Sequence, residues 1–249
     1  MTAMHTDAAG LMAGYIQIPT KDGEIPAYRA MPSDSKSVPV MLVIQEIFGV
    51  NEHMRDVCRR FAKLGYMAIA PEMFARQGDV SKMTDHQEIR NVVSRVPDAQ
   101  VMSDLDAAVY WAADEGGDTG RLGICGFCWG GRTVWLYAAY SKMLKAGAAW
   151  YGQLEGLKNA VRTRTALEVA PEVKAPVIGL YGGKDEGIPL DQVEKMQDAL
   201  HQTNTKSTII VFPDAPHAFF ADYRPNYRES DAIDAWAHML AWFRKHGVA

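Results

Sequence analysis

Cysteine is scarce. Three in 249 residues are too few, and odd in number, for a disulfide framework, so a reducing cytoplasm is the expected setting. No apolar run approaches the ~20 residues needed to span a bilayer, so no membrane span is expected. No charge of one sign dominates: the net charge is −4 with acidic and basic residues mixed, which leaves no basic face for nucleic acid and no polybasic membrane patch. No Pro/Gly/Ser-rich linker and no internal repeat divides the chain. With 48% hydrophobic content there is enough apolar material for one sizeable core, so residues 1–249 read as a single domain. Met1 to Gly14 lacks the charged-then-apolar pattern of a signal peptide. The pair Cys125 and Cys128 spells C-x-x-C, but no second C-x-x-C or H-x-x-x-H completes a zinc site, so no metal is expected. Nothing here fixes an oligomeric state beyond a monomer or small homo-oligomer.

What the chain does have is alternation of apolar runs and helical periodicity. Tyr15–Ile18 and Ile25–Arg29, joined by Lys21-Asp22-Gly23-Glu24, read as an antiparallel hairpin at a sheet edge. Val38–Ile44, Tyr66–Pro71, Ala146–Tyr151, Ala175–Gly182 and Thr208–Phe212 are nearly unbroken apolar runs, the signature of strands covered on both faces. Between them fall helical stretches. The first begins near Asn51 with Met54, Val57, Cys58, Phe61 and Leu64 on its buried face, and the last runs from about Glu229 to Lys245 with Ile233, Trp236, Met239, Leu240 and Phe243 on its own. Two more run from about Asp85 to Arg95 and from about Pro97. The polar segment from Gly152 to Lys174 reads as a loop over the sheet edge, helping to cover the site. The fold class this predicts is α/β, a mostly parallel central sheet with helices on both faces and no separate cap domain.

One stretch carries the chemistry. Arg121 to Gly131 reads as a buried strand, a glycine-flanked turn and a helix, and Gly126-x-Cys128-x-Gly130 is the G-x-S-x-G nucleophile elbow with cysteine for serine. The elbow residue is held in a strained conformation, and the glycines remove Cβ atoms that would collide with strand and helix. The sulfur then sits at the amino end of a helix, whose dipole favours thiolate. Cys125 belongs to the apolar strand and Cys58 to a helix core.

A thiol that attacks a carbonyl needs a base in reach, and the base needs an acceptor to fix its tautomer. Asp185, past the strand ending Tyr181-Gly182, and His217, past the strand ending Phe212, supply these roles at the same sheet edge. The order Cys128, Asp185, His217 is the chain order of nucleophile, acid and histidine in α/β-hydrolases. Asp214 is the rival acid but reads as a turn former. Of the other histidines, His5 is in the leader, and His53, His86, His201, His238 and His246 fall on predicted helices or their ends, most of them as surface residues. The oxyanion hole is expected from the backbone N–H groups of Trp129 and Ile47.

Gln45-Glu46-Ile47-Phe48-Gly49, Pro71-Glu72-Met73-Phe74-Ala75-Arg76-Gln77, Gly126-Phe127-Cys128-Trp129-Gly130-Gly131, Tyr181-Gly182-Gly183-Lys184-Asp185 and His217-Ala218-Phe219 together resemble the dienelactone hydrolase (carboxymethylenebutenolidase) family. The resemblance implies hydrolysis of a small lactone or ester through a cysteine acyl-enzyme, without metal or organic cofactor. It also implies that Glu46 holds the thiol in the resting enzyme and swings towards Arg76 when substrate binds. Arg76, Tyr151 and Arg224 are the substrate-binding candidates. The family's second arginine, four residues after the histidine, is Ala221 here, with Arg224 the nearest replacement and Asp222 close beside it. A broader carboxylesterase or thioesterase, a binding protein that has lost turnover, and thiol redox through Cys125 and Cys128 stand as alternatives. A panel of esters, thioesters and lactones separates the first two from the hydrolase reading, and thiol counting separates the third.

Overall fold

The computed structural model describes residues 4–156, 158–203 and 205–249, so Met1 to Ala3 of the leader lie outside the described residues. An eight-stranded sheet has the order β1-β2-β4-β3-β5-β6-β7-β8. Strands β1 (Leu11–Thr20) and β2 (Gly23–Pro32) form the expected antiparallel hairpin at one edge, with Thr20 opposite Gly23 across the turn. Gly23 takes φ +106 there, a conformation natural to glycine. β2 also pairs antiparallel with β4 (Met67–Pro71). From β4 onward every pairing is parallel, through β3 (Val38–Ile44), β5 (Gly117–Phe127), β6 (Ala146–Trp150), β7 (Val177–Gly182) and β8 (Thr208–Phe212). Strands β3, β4, β6 and β7 are buried at every residue, which is why they read as continuous apolar runs rather than alternations.

Helices cover both faces. α1 (Glu52–Lys63) starts on Asn51, whose side chain accepts the Met54 N–H at 3.1 Å, and buries Met54, Val57, Cys58 and Phe61. Phe61 meets Trp236 and Phe243 of α7 (Glu229–Lys245), so these two helices share a face. α3 (Asp98–Asp114) and α4 (Trp129–Tyr140) pack against each other and against β5. Between β4 and α3 lies α2 (His86–Ser94), capped by Asp85. α5 (Ala166–Val169) is a single capped turn within the 152–174 segment, and α6 (Leu190–Gln202) joins β7 to β8. No helix among the described residues is long and apolar enough to cross a membrane.

Two expectations change. β5 begins at Gly117, four residues before the expected start, because Gly117-Asp118-Thr119-Gly120 carries no apolar pattern and is drawn into the sheet through a register shift opposite Pro39/Val40. On α7 the buried face is Ala232, Ala235, Met239, Trp242 and Phe243, while Ile233 is 61% exposed. Met239 and Phe243 are buried as expected, and Trp236 and Leu240 pack against the core partly buried.

Candidate active site

Cys128 stands at the carboxyl end of β5 with φ 54 and ψ −109, outside the ordinary regions for a side-chain-bearing residue. Three backbone bonds hold it there: Cys128 N–H to the Trp150 carbonyl at 3.0 Å, Gly130 N–H to Gln45 at 3.1 Å, and Arg132 N–H to Cys128 at 3.2 Å. The glycines are a steric requirement. A Cβ on Gly126 would lie 2.2 Å from the Gly130 carbonyl oxygen, and one on Gly130 would lie 2.3 Å from that of Ile44. The thiol remains partly exposed, whereas Cys58 and Cys125 are sealed in the core, where burial pushes the Cys125 thiol well above its usual pKa. Cys125 and Cys128 therefore face different environments on a rigid strand end.

Asp185 lies in the turn after β7 with its side chain wholly buried. Its Oδ1 accepts the N–H groups of Gly187 at 2.9 Å and Ile188 at 3.1 Å, and its Oδ2 lies 2.6 Å from His217 Nδ1. A carboxylate can only accept, so His217 Nδ1 carries the proton between them and Nε2 is the nitrogen left to serve a thiol. Burial disfavours the imidazolium. The Asp185 and Cys128 partners outweigh it and raise the His217 pKa to about 10. Asn226 secures the His217 carbonyl at 3.0 Å, and the Tyr151 ring meets the imidazole edge-on at 5.2 Å. Tyr151 (φ 36) and Ala218 (φ 61) share the left-handed backbone of Cys128, so strain gathers around this group.

The three side chains open onto a cavity of about 800 Å³, within the range of small-molecule sites. Ile47, Trp129, Tyr151 and Gln153 line it, together with Arg90, Arg132 and Arg162. Among the described residues, the Ile47 and Trp129 N–H groups donate to no protein acceptor. This edge can hold an acyl group on sulfur and receive a developing negative oxygen.

Not every candidate gathers here. Arg76 does not line the cavity: its guanidinium grips Asp104 of α3 in two bonds, at 2.6 and 2.9 Å, and Thr20 at 2.6 Å. The Asp104 side chain is 2% exposed and takes Arg76 as its cation, so in this structure the guanidinium is engaged with α3 rather than with Glu46. Glu46, 1% exposed, is turned to the opposite loop, where Tyr223 donates to its Oε2 at 2.6 Å and Arg224 lies 3.7 Å from Oε1. Asp222 does not compete for Arg224. It accepts from Arg60 at 3.2 Å and from the Met4 N–H at 2.9 Å, and pairs with His53 at 2.9 Å. Burial raises its pKa, but His53 chiefly, with Arg60, brings it below the usual value. His53 is thus a buried helix residue and no surface one. The spacing His53, Val57, Phe61 on the apolar face of α1 was the signal for it. Asp214 pairs with Lys184 at the exposed surface, away from His217. Tyr223 was missed altogether, since a lone tyrosine in a polar loop carries no pattern.

The dienelactone hydrolase family model matches residues 25–247. The chain belongs to the dienelactone hydrolase family. It is 56% identical to a Methylorubrum extorquens protein named "Putative carboxymethylenebutenolidase", covering 100% of this chain and 86% of the relative. A protein of Escherichia coli K12 with the same name is 48% identical, covering 99% and 92%. The crystal structure of a "Putative Dienelactone Hydrolase" from Klebsiella pneumoniae superposes with a TM-score of 0.92 at 50% identity, covering 94% of this chain and 99% of that one. As a dienelactone hydrolase family member the chain is a hydrolytic enzyme with the α/β-hydrolase fold.

Proposed function

We propose that the chain hydrolyses a small lactone or carboxylic ester through an acyl-enzyme on Cys128. The observation that carries this is one cavity lined by the Asp185–His217 pair, bonded at 2.6 Å, by a partly exposed Cys128, and by Ile47 and Trp129, whose backbone N–H groups are uncommitted. The sulfur attacks the carbonyl carbon, and the proton it gave up rests on His217. The carbonyl oxygen takes the negative charge and accepts from the Ile47 and Trp129 N–H groups, each supplying ~3 kcal/mol of transition-state stabilisation. The imidazolium hands its proton to the leaving alkoxide; in a lactone that alkoxide stays tethered to the acyl group. Neutral His217 then takes a proton from water, hydroxide attacks the thioester, and the thiolate departs to recover that proton. Asp185 keeps the ring in the productive tautomer throughout.

Ala221, buried and neutral, supports a second reading, a broader carboxylesterase or thioesterase that requires no carboxylate on its substrate. The reading includes a single-domain chain in a reducing cytoplasm, where three free thiols persist. The test is steady-state hydrolysis of lactones, chromogenic esters and acyl thioesters by the parent, Cys128→Ala and His217→Ala. Turnover by the parent that both variants lose supports the proposal. Absence of turnover across the panel argues for a binding protein.

A further inference from the structure

We propose that Arg162 is a specificity-determining residue of the Cys128 cavity, selecting ester or lactone substrates that carry an anionic group, a carboxylate or a phosphate, over their neutral counterparts. The inference deepens the hydrolase reading and rests on it. Arg162 lines the cavity together with Cys128, His217, Arg90 and Arg132, whereas Arg76 and Arg224 do not line it. The lining arginines differ in what already holds them. Arg132 is committed to Asp98, whose two oxygens accept from it at 2.8 and 2.9 Å, and it donates to the Arg164 carbonyl at 2.6 Å. Arg90 is exposed and meets the neutral Gln87 amide at 3.2 Å. Arg162 pairs with no carboxylate among the described residues: its Nη2 donates to the Val93 carbonyl and its buried Nε has no partner.

A guanidinium does not shed its proton, so one drawn out of water without a counter-ion carries an uncompensated cost. Burial and the nearby Arg132 charge both press on Arg162 and lower its pKa. An anion in the cavity relieves both. The other lining charges do not supply one: Asp185 is engaged with His217 at 2.6 Å, Lys184 holds Asp214 at 2.6 Å, and Glu186 is exposed to water, which screens it. The neutral part of the lining agrees. Trp129 Nε1 and the Tyr151 hydroxyl, both buried, also lack hydrogen-bond partners among the described residues, so the cavity offers spare donors to an oxygen-rich ligand.

The backbone around Arg162 is held in place. Asn159 Oδ1 accepts the N–H groups of Val161 and Arg162 at 2.9 and 2.8 Å, Asn159 N–H donates to the Arg162 carbonyl at 2.9 Å, and the Asn159 amide donates to the Ser94 carbonyl at 3.1 Å. The Val161 carbonyl accepts the Asp98 N–H at 3.0 Å. These bonds pin the 152–174 segment to the end of α2 and the start of α3, so the guanidinium fork has little freedom to lose when an anion binds.

The test compares p-nitrophenyl hydrogen glutarate, which keeps a free carboxylate, with neutral p-nitrophenyl butyrate. Parent kcat/KM is expected to favour the glutarate ester by about tenfold or more, the worth of a charge-assisted bond. Arg162→Gln is expected to lose that preference while its kcat/KM for the butyrate ester stays within about threefold of the parent's. A merely structural role for Arg162, through Val93, slows both esters alike. Arg90→Gln, which removes an exposed and screened charge, is expected to keep most of the preference. Calorimetric titration with glutarate and with inorganic phosphate needs no turnover: the parent is expected to bind at least one, which tells carboxylate from phosphate, and Arg162→Gln to bind it about tenfold more weakly. Arg162→Lys, which keeps the charge and loses the fork, repeats both comparisons if the glutamine variant does not fold, with a smaller preference expected than in the parent. An active parent that shows no preference and binds neither anion, a preference that survives Arg162→Gln, a preference lost only in Arg90→Gln, or equal slowing of both esters each overturns the proposal. A parent that hydrolyses neither ester yet binds an anion through Arg162 keeps the assignment and loses the hydrolase reading, and one that binds neither anion loses both.

Discussion

Asp185→Asn changes a single atom and inverts a hydrogen bond. In the parent, Oδ1 accepts two backbone N–H groups and Oδ2 faces His217 Nδ1 at 2.6 Å, with no solvent access to the side chain. Asparagine must keep its oxygen on the two N–H donors, so its amide N–H2 points at the imidazole. Nδ1 then becomes the acceptor and the proton moves to Nε2, facing the sulfur, where it blocks acceptance of the thiol proton. A wrong tautomer held in correct geometry costs ~10³–10⁴ in kcat/KM, about 4–5.5 kcal/mol of barrier. The His217 pKa, about 10 in the parent, falls with loss of the Asp185 bond and charge, by roughly one to two units for a charge-assisted bond of ~1.5–3 kcal/mol. The assays are steady-state ester hydrolysis and an NMR titration of the imidazole C–H, with a thermal midpoint to establish folding. A folded Asp185→Asn protein within about tenfold of parent kcat/KM, or with an unmoved His217 titration, would refute this reasoning.

Arg76→Ala is expected to cost ~3 kcal/mol of stability by stranding buried Asp104, while kcat/KM for a small neutral ester stays within about threefold. A large kinetic loss at unchanged thermal midpoint would restore Arg76 to the catalytic machinery. Gly130→Ala places a Cβ 2.3 Å from the Ile44 oxygen and 2.7 Å from that of Gln45, both backbone, and is expected to destabilise by more than ~3 kcal/mol. A variant with parent-like urea unfolding contradicts it. Because the folded His217 pKa lies above its unfolded value of 6.5, the stability it contributes is complete below about pH 6.5 and is lost as pH rises through about 10. Urea midpoints are expected to fall across that window, and Asp185→Asn is expected to flatten the decline; equal slopes for the two proteins count against the linkage.

Strands such as Val38–Ile44 were legible because burial on both faces leaves no polar residue in the run. The elbow was legible because backbone crowding at Gly126 and Gly130 tolerates no other residue. Asp185 and His217 could be named because parallel topology sends each strand end to one edge. What sequence could not yield was direction. Whether Glu46 faces sulfur or Tyr223 depends on how the 218–228 loop is anchored, and that anchor joins residues as far apart as Met4 and Asp222. The Arg76–Asp104 pair was illegible for the same reason, since nothing local announces that buried Asp104 engages this arginine.

The most direct measurement is intact-mass analysis of the protein quenched in acid during turnover of an activated ester. Acylation confined to Cys128, absent from Cys128→Ala, retained in Cys125→Ala and cleared within the turnover time is the predicted result. An unmodified parent that nonetheless releases product, or acyl label on another residue, contradicts the cysteine acyl-enzyme.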